Sequence, residues 1–245
     1  MNRETGDVFA AIGSRDQSAS LQPERGAWLA LFPVTATALY YVLPPVWHDS
    51  RTVQFIPQLV AYLMLTIWLS RNRSRLARLG LTPALVPQGI RWGSLTGLIL
   101  GAVNTAVILW LVPRLGFDMT FLRDTPHAHV PPLLMVPWFI VLIAIGVELN
   151  FRGFLLGRLL AFCPTSLPRT PTWLSEAGAI GSSALVFSFD PFMVATFQHL
   201  HWIAVWDGIV WGWLWVRLRN LYATITAHAV EVIVMYSVIR NFLIG

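Results

Sequence analysis

The stretch that decides the fold is Leu133-Leu134-Met135-Val136-Pro137-Trp138-Phe139-Ile140-Val141-Leu142-Ile143-Ala144-Ile145, which carries no charge. It continues into Gly146-Val147-Glu148-Leu149-Asn150-Phe151-Arg152-Gly153-Phe154. An apolar run of this length reads as a membrane-spanning helix, which needs about 20 residues. Glu148 and Arg152 stand four residues apart, on one helix face, where carboxylate and guanidinium pair. A charge at mid-bilayer costs roughly 2.5–3.5 kcal/mol or more, so charged residues in a span face a protein interior. The pair either locks helices together or marks a site, and the rest of the chain is asked which residues converge on Glu148.

Composition agrees with a membrane protein. Of 245 residues, 56% are hydrophobic and 12% charged, against about 25% charged in soluble domains, and the mean hydropathy is +0.61. The sequence predicts an all-α, polytopic transmembrane helix bundle of about seven spans. The formal net charge is +5, with no lysine in the chain. Apolar segments separate the arginines, which points to membrane orientation and not to nucleic acid. Cys163 is the single cysteine, so no internal disulfide forms. Residues 1–26 read as a polar tail without the apolar core of a signal peptide, and residues 27–245 as the membrane-embedded domain.

Working outward, the expected spans are 27–46, 52–69, 90–112, 133 to about 158, 173–190, 202–215 and 221–243. Arg71-Asn72-Arg73-Ser74-Arg75-Leu76-Ala77-Arg78 is the densest basic run, which puts that loop and the amino terminus in the cytoplasm. Gly93, Gly97 and Gly101 suit close helix packing. Residues 113–132 form an opposite-side loop whose His127 and His129 have no carboxylate or cysteine in register for a metal. A proline-rich loop with Arg169 precedes the fifth span, and Asp190-Pro191 stops that span, since the residue before proline leaves helical geometry.

Glu148, Asp190, the His199/His201 turn, Asp207, His228 and Glu231 are ionisable groups at or near membrane depth, spread over four successive segments. Such a set predicts a shared polar cavity. Counting ten residues back from Arg158 puts Glu148 roughly 15 Å inside, and His228 lies about as far from Arg219. A carboxylate with imidazoles suits general-base activation of water, with a histidine orienting the water or holding an oxyanion. The same donors suit a divalent metal such as zinc that activates water.

Glu148-x-x-Phe151-Arg152-Gly153, then Ser182-Ser183 and a polar break, a Gly-rich span ending in arginine, and Leu221-Tyr222-Ala223-x-Ile225-x-Ala227-His228-Ala229 together resemble the CPBP family. These are CAAX-type prenyl-protein endopeptidases and bacteriocin-processing or bacteriocin-immunity proteins. The likeness covers about residues 136–232. It implies an integral, multi-pass protein of a bacterial inner membrane that hydrolyses a peptide bond in a membrane-anchored substrate. Glu148, His228 and a second-motif residue would be catalytic, with Arg152 and Glu231 supporting. The second-motif position falls on Asp190 when Ser182-Ser183 anchors the comparison, and on His199 after a nine-residue shift; both stay open. Val147 stands where the family has its first glutamate, and Val232 where it has an asparagine. These departures motivate the alternative of a catalytically inactive membrane binding or immunity protein.

Overall fold

The computed structural model describes residues 24–166 and 170–244. Most of the expected tail and part of the Arg169 loop therefore lie outside the described residues, as does the His127 side chain. Every regular element among the described residues is helical. Apart from short turns of helix in the connections, they are in chain order α1 (Ala27–Tyr41), α2 (Arg51–Arg71), α3 (Arg75–Leu79), α4 (Val86–Ala106, prolonged to Arg114), α5 (Pro132–Cys163), α6 (Thr172–Ser188), α7 (Pro191–Phe197), α8 (Ile203–Leu218) and α9 (Leu221–Ile244).

Four helical stretches are long and apolar enough to cross a membrane: 51–71, 75–114, 132–163 and 221–242. The pair α6 and α7, bent by 55° at its break, makes a fifth if taken as one span. Seven spans are not reached by this measure, for local reasons. Pro44-Pro45 cuts the first expected span, so α1 ends at Tyr41, as the restriction on residues before proline requires. Helix α8 has 16 residues, about 24 Å at 1.5 Å per residue, short of a hydrocarbon layer near 30 Å. The Asp190-Pro191 stop stands where the sequence places it.

Helices α4 and α9 make the closest contact in the bundle. A Cβ on Gly97 would lie 2.5 Å from the Ala227 carbonyl oxygen, and one on Gly101 would lie 2.8 Å from Val234 Cβ. Glycines one turn apart therefore let α9 lie directly on the α4 backbone. On the far side of the core, Gly208 of α8 does the same for α6: its Cβ would meet Ala184 Cβ at 2.8 Å. Helix α5 runs between these two pairs, with Phe151, Phe154, Leu155 and Leu156 buried in the main apolar cluster.

One end of the bundle is knitted by polar contacts. Glu24 pairs with Arg158, lies 3.5 Å from the Arg78 guanidinium, and accepts from Trp68 Nε1 at 2.9 Å. Residues 24–26, expected as part of the tail, thus dock where α5 ends. Leu221 N–H donates to the Gly80 carbonyl at 3.0 Å and Asn220 Nδ2 to that of Leu85 at 2.8 Å. These bonds set the start of α9, and with it the depth of His228.

Candidate active site

Glu148 closes an α-helical stretch of α5, and Leu149–Leu156 continues as the wider π-type helix. Such widenings recur at functional sites because they re-aim side chains within an otherwise regular helix. Glu148 and Arg152 are each 0% exposed, and Arg152 Nη1 donates to Glu148 Oε1 at 3.1 Å. The expected pair exists, and it is buried.

His228 reaches the same carboxylate from α9: its Nδ1 lies 3.0 Å from Glu148 Oε1. The imidazole stacks on Trp211 of α8, with centroids 4.4 Å apart and planes at 21°. Arg152 sits between two aromatic faces, its Cζ 4.6 Å from the Phe187 ring and 4.9 Å from the Trp211 ring. A guanidinium taken from water is stabilised by such faces as well as by its carboxylate. Ser183 of the Ser182-Ser183 pair donates to the Phe151 carbonyl at 2.9 Å, tying α6 to α5 beside the motif.

A second polar group lies on the neighbouring elements. Asn104 of α4, 0% exposed, donates through Nδ2 to Glu231 Oε1 at 2.7 Å and to Asp207 Oδ1 and Oδ2 at 3.0 and 3.2 Å. Its Oδ1 accepts from Trp206 Nε1 at 2.9 Å. Glu231 follows His228 by three residues on α9 and so shares its face. Asp207 precedes Gly208, whose missing side chain leaves room for Arg152: a Cβ there would lie 3.4 Å from Nη2. Glu148, Arg152, Asp207, His228 and Glu231 therefore form one buried polar core held by α4, α5, α8 and α9. Asn104, Trp206, Phe187 and Trp211 were not singled out by sequence; the amide in an otherwise apolar span was the one available signal.

Neither second-motif alternative joins this centre. Asp190 caps α7, accepting from the Phe192 and Met193 N–H groups at 3.1 and 3.2 Å, and takes a third bond from Gln58 Nε2 at 2.8 Å. His199 stacks on Phe117 with centroids 5.0 Å apart and meets the edge of Phe121 at 5.1 Å. It belongs to the apolar packing of the loop between α4 and α5. His201 contacts the Gln198 carbonyl through Nδ1 at 2.6 Å.

The donor set does not fit zinc. Among the described residues no group of three or more His, Cys, Asp or Glu is placed to hold a metal. The Glu148 oxygen nearest His228 is also the one Arg152 occupies, and a guanidinium there opposes a cation.

With the geometry in place, the comparisons bear on it directly. No curated protein and no solved structure matches the chain. Residues 129–234 do match a family model, the one described as Type II CAAX prenyl endopeptidase Rce1-like. That interval contains Glu148, Arg152, Asp207, His228 and Glu231, while Asn104, which joins Asp207 to Glu231, lies before it. The chain is therefore an integral membrane protein whose residues 129–234, a little under half of its length, are similar to the Rce1-like CAAX prenyl endopeptidases of the CPBP family.

Proposed function

We propose that this protein hydrolyses a peptide bond of a membrane-tethered substrate at the Glu148–His228 centre. The observation that carries the reading is the 3.0 Å contact between His228 Nδ1 and Glu148 Oε1, made inside the bundle by residues of separate helices. With Nδ1–H donating to the carboxylate, Nε2 is the nitrogen that accepts a proton. The His228 side chain is 11% exposed and that of Glu148 0%, so the imidazole is the group that meets water and substrate. Glu148 orients it and stabilises the imidazolium, as a buried carboxylate does in other hydrolases.

The reaction follows from those roles. His228 Nε2 takes a proton from water while the water oxygen adds to the peptide carbonyl carbon. The C–N bond then breaks, and the leaving nitrogen receives the proton from His228. Arg152 holds Glu148 in place from between its two rings. The substrate is a peptide anchored in the bilayer and presented from the lipid side. We place the basic turn after α2, and with it the docked Glu24 segment, on the cytoplasmic side, because arginine is concentrated there.

A second reading, membrane binding or immunity without catalysis, is favoured by one feature. Val147 and Val232 are apolar at two positions where the family resemblance has polar groups, and Asp190 and His199 are engaged elsewhere. The two readings separate in proteoliposomes carrying a membrane-anchored reporter peptide. Cleavage by the parent that is lost in Glu148→Gln and His228→Gln supports hydrolysis. No cleavage by the parent, with a cellular phenotype indifferent to both substitutions, establishes the binding role.

A further inference from the structure

The turn joining α2 to α3 frames an open surface pocket of about 490 Å³ lined by Ser70, Arg71, Asn72, Arg73, Ser74 and Arg75. Three guanidinium-bearing residues, two hydroxyls and an amide surround it, and no carboxylate does. Arg71, Arg73 and Arg75 are exposed, and among the described residues none of them is ion-paired. Glu24, the acid at this end of the bundle, is already engaged by Arg158 and Arg78.

The turn is built, not merely charged. Asn72 is 8% exposed. Its Nδ2 donates to the Trp68 carbonyl at 2.9 Å and the Arg25 carbonyl at 2.8 Å, and its Oδ1 accepts from Arg25 N–H at 3.0 Å. Ser74 takes a left-handed conformation with φ 55°, which turns the chain back on itself. Arg75 Nη1 donates to the Leu69 carbonyl at 3.3 Å. The arginines therefore project from a fixed backbone, which lowers the ordering cost of gripping an anion.

Depth narrows what that anion is. Helix α2 is a candidate span that ends at Arg71, so the pocket opens where the chain leaves the apolar layer. Phosphate groups of lipids lie at that level. Guanidinium forks match phosphate oxygens in pairs, which ammonium groups do not. We propose that this pocket is a binding site for the phosphate of an anionic phospholipid headgroup, seated by Arg71, Arg73 and Arg75 with the Ser74 hydroxyl, the Ser70 hydroxyl being spent on the Ile67 carbonyl at 2.8 Å.

The test uses the full chain in neutral detergent, with phosphatidylglycerol, phosphatidylcholine and glycerol phosphate as probes, read by native mass spectrometry and thermal unfolding. Phosphatidylglycerol should be retained at one molecule per chain and should raise Tm. Joint Arg71→Lys, Arg73→Lys and Arg75→Lys substitution keeps the charge but removes the forks, and should weaken retention about tenfold, the loss expected for one charge-assisted contact. Asn72→Ala, which frees the turn without touching an arginine, should weaken it as well; if that variant does not fold, Arg73→Lys alone replaces it. Equal retention by the lysine variant overturns the proposal in favour of diffuse charge attraction. Equal binding of phosphatidylcholine overturns it too, and glycerol phosphate binding as tightly as the lipid assigns the pocket to a free anion instead.

Discussion

His228 and Glu148 are 80 residues apart in sequence and 3.0 Å apart in the bundle. Their contact joins α9 to the motif on α5. Glu148 Oε1 serves both His228 and Arg152, so a single oxygen couples an orienting role to a buried ion pair. Changes at these residues will affect activity and stability together, and substitutions must be chosen to separate the two.

Glu148→Gln keeps the shape of the side chain and its contact with His228, but it removes the charge that stabilises an imidazolium. Cleavage of a membrane-anchored peptide should fall by about 10²–10⁴, because the His228 general base loses the carboxylate that orients it and stabilises its charged form. His228→Gln should fall as far. Single-turnover rates in proteoliposomes check this, and a variant that cleaves at the parental rate removes that residue from the mechanism.

Arg152→Met tests the ion pair. It leaves Glu148 buried without its cation, and breaking such a pair typically costs about 3–5 kcal/mol. Arg152→Lys retains a charge but loses the planar stacking between Phe187 and Trp211, so it should fall between the parent and the methionine variant. Thermal unfolding in detergent orders the three. A lysine variant as stable as the parent would show that the aromatic faces contribute nothing.

Much of this was legible in the sequence, and the failures have physical causes. The charged pair inside an apolar run, and a histidine at matching depth in a later span, were enough to predict the Glu148–Arg152–His228 association. Depth alone, however, does not say which way a side chain faces. Asp190 is buried as its depth suggested, yet its carboxylate is spent on two backbone N–H groups and Gln58. The dipeptide Asp190-Pro191 carried that information, since aspartate before proline is also the pattern of a helix cap. Asn104 escaped notice because one amide in a span has no periodicity, and its role appears only when Asp207 and Glu231 arrive from other helices. The expected seven spans exceed the four or five stretches long enough to cross because α1 and α8 are apolar but short.

Asp190→Ala separates the cap from the chemistry. Loss of a capping side chain costs about 0.5–2 kcal/mol, so Tm should drop. The cleavage rate per folded molecule should stay within a few-fold of the parent, because no hydrogen bond links Asp190 to Glu148 or His228 in this structure. A rate loss as large as that of His228→Gln would return Asp190 to the catalytic set.

Asn104 makes the last case, because it joins three helices with one side chain. Asn104→Leu fills similar space but leaves Asp207 and Glu231 without their shared donor, and each buried acceptor left unsatisfied costs about 1–3 kcal/mol. Glu231→Leu alone should also destabilise, since it strands an amide hydrogen. If the two act through their 2.7 Å bond, the double variant should be more stable than the sum of the singles predicts, with a coupling of about 0.5–3 kcal/mol. Unfolding midpoints of the four proteins close that cycle. Strict additivity would mean that the Asn104–Glu231 bond carries no energy of its own and that α4 is held to α9 by its glycine contacts alone.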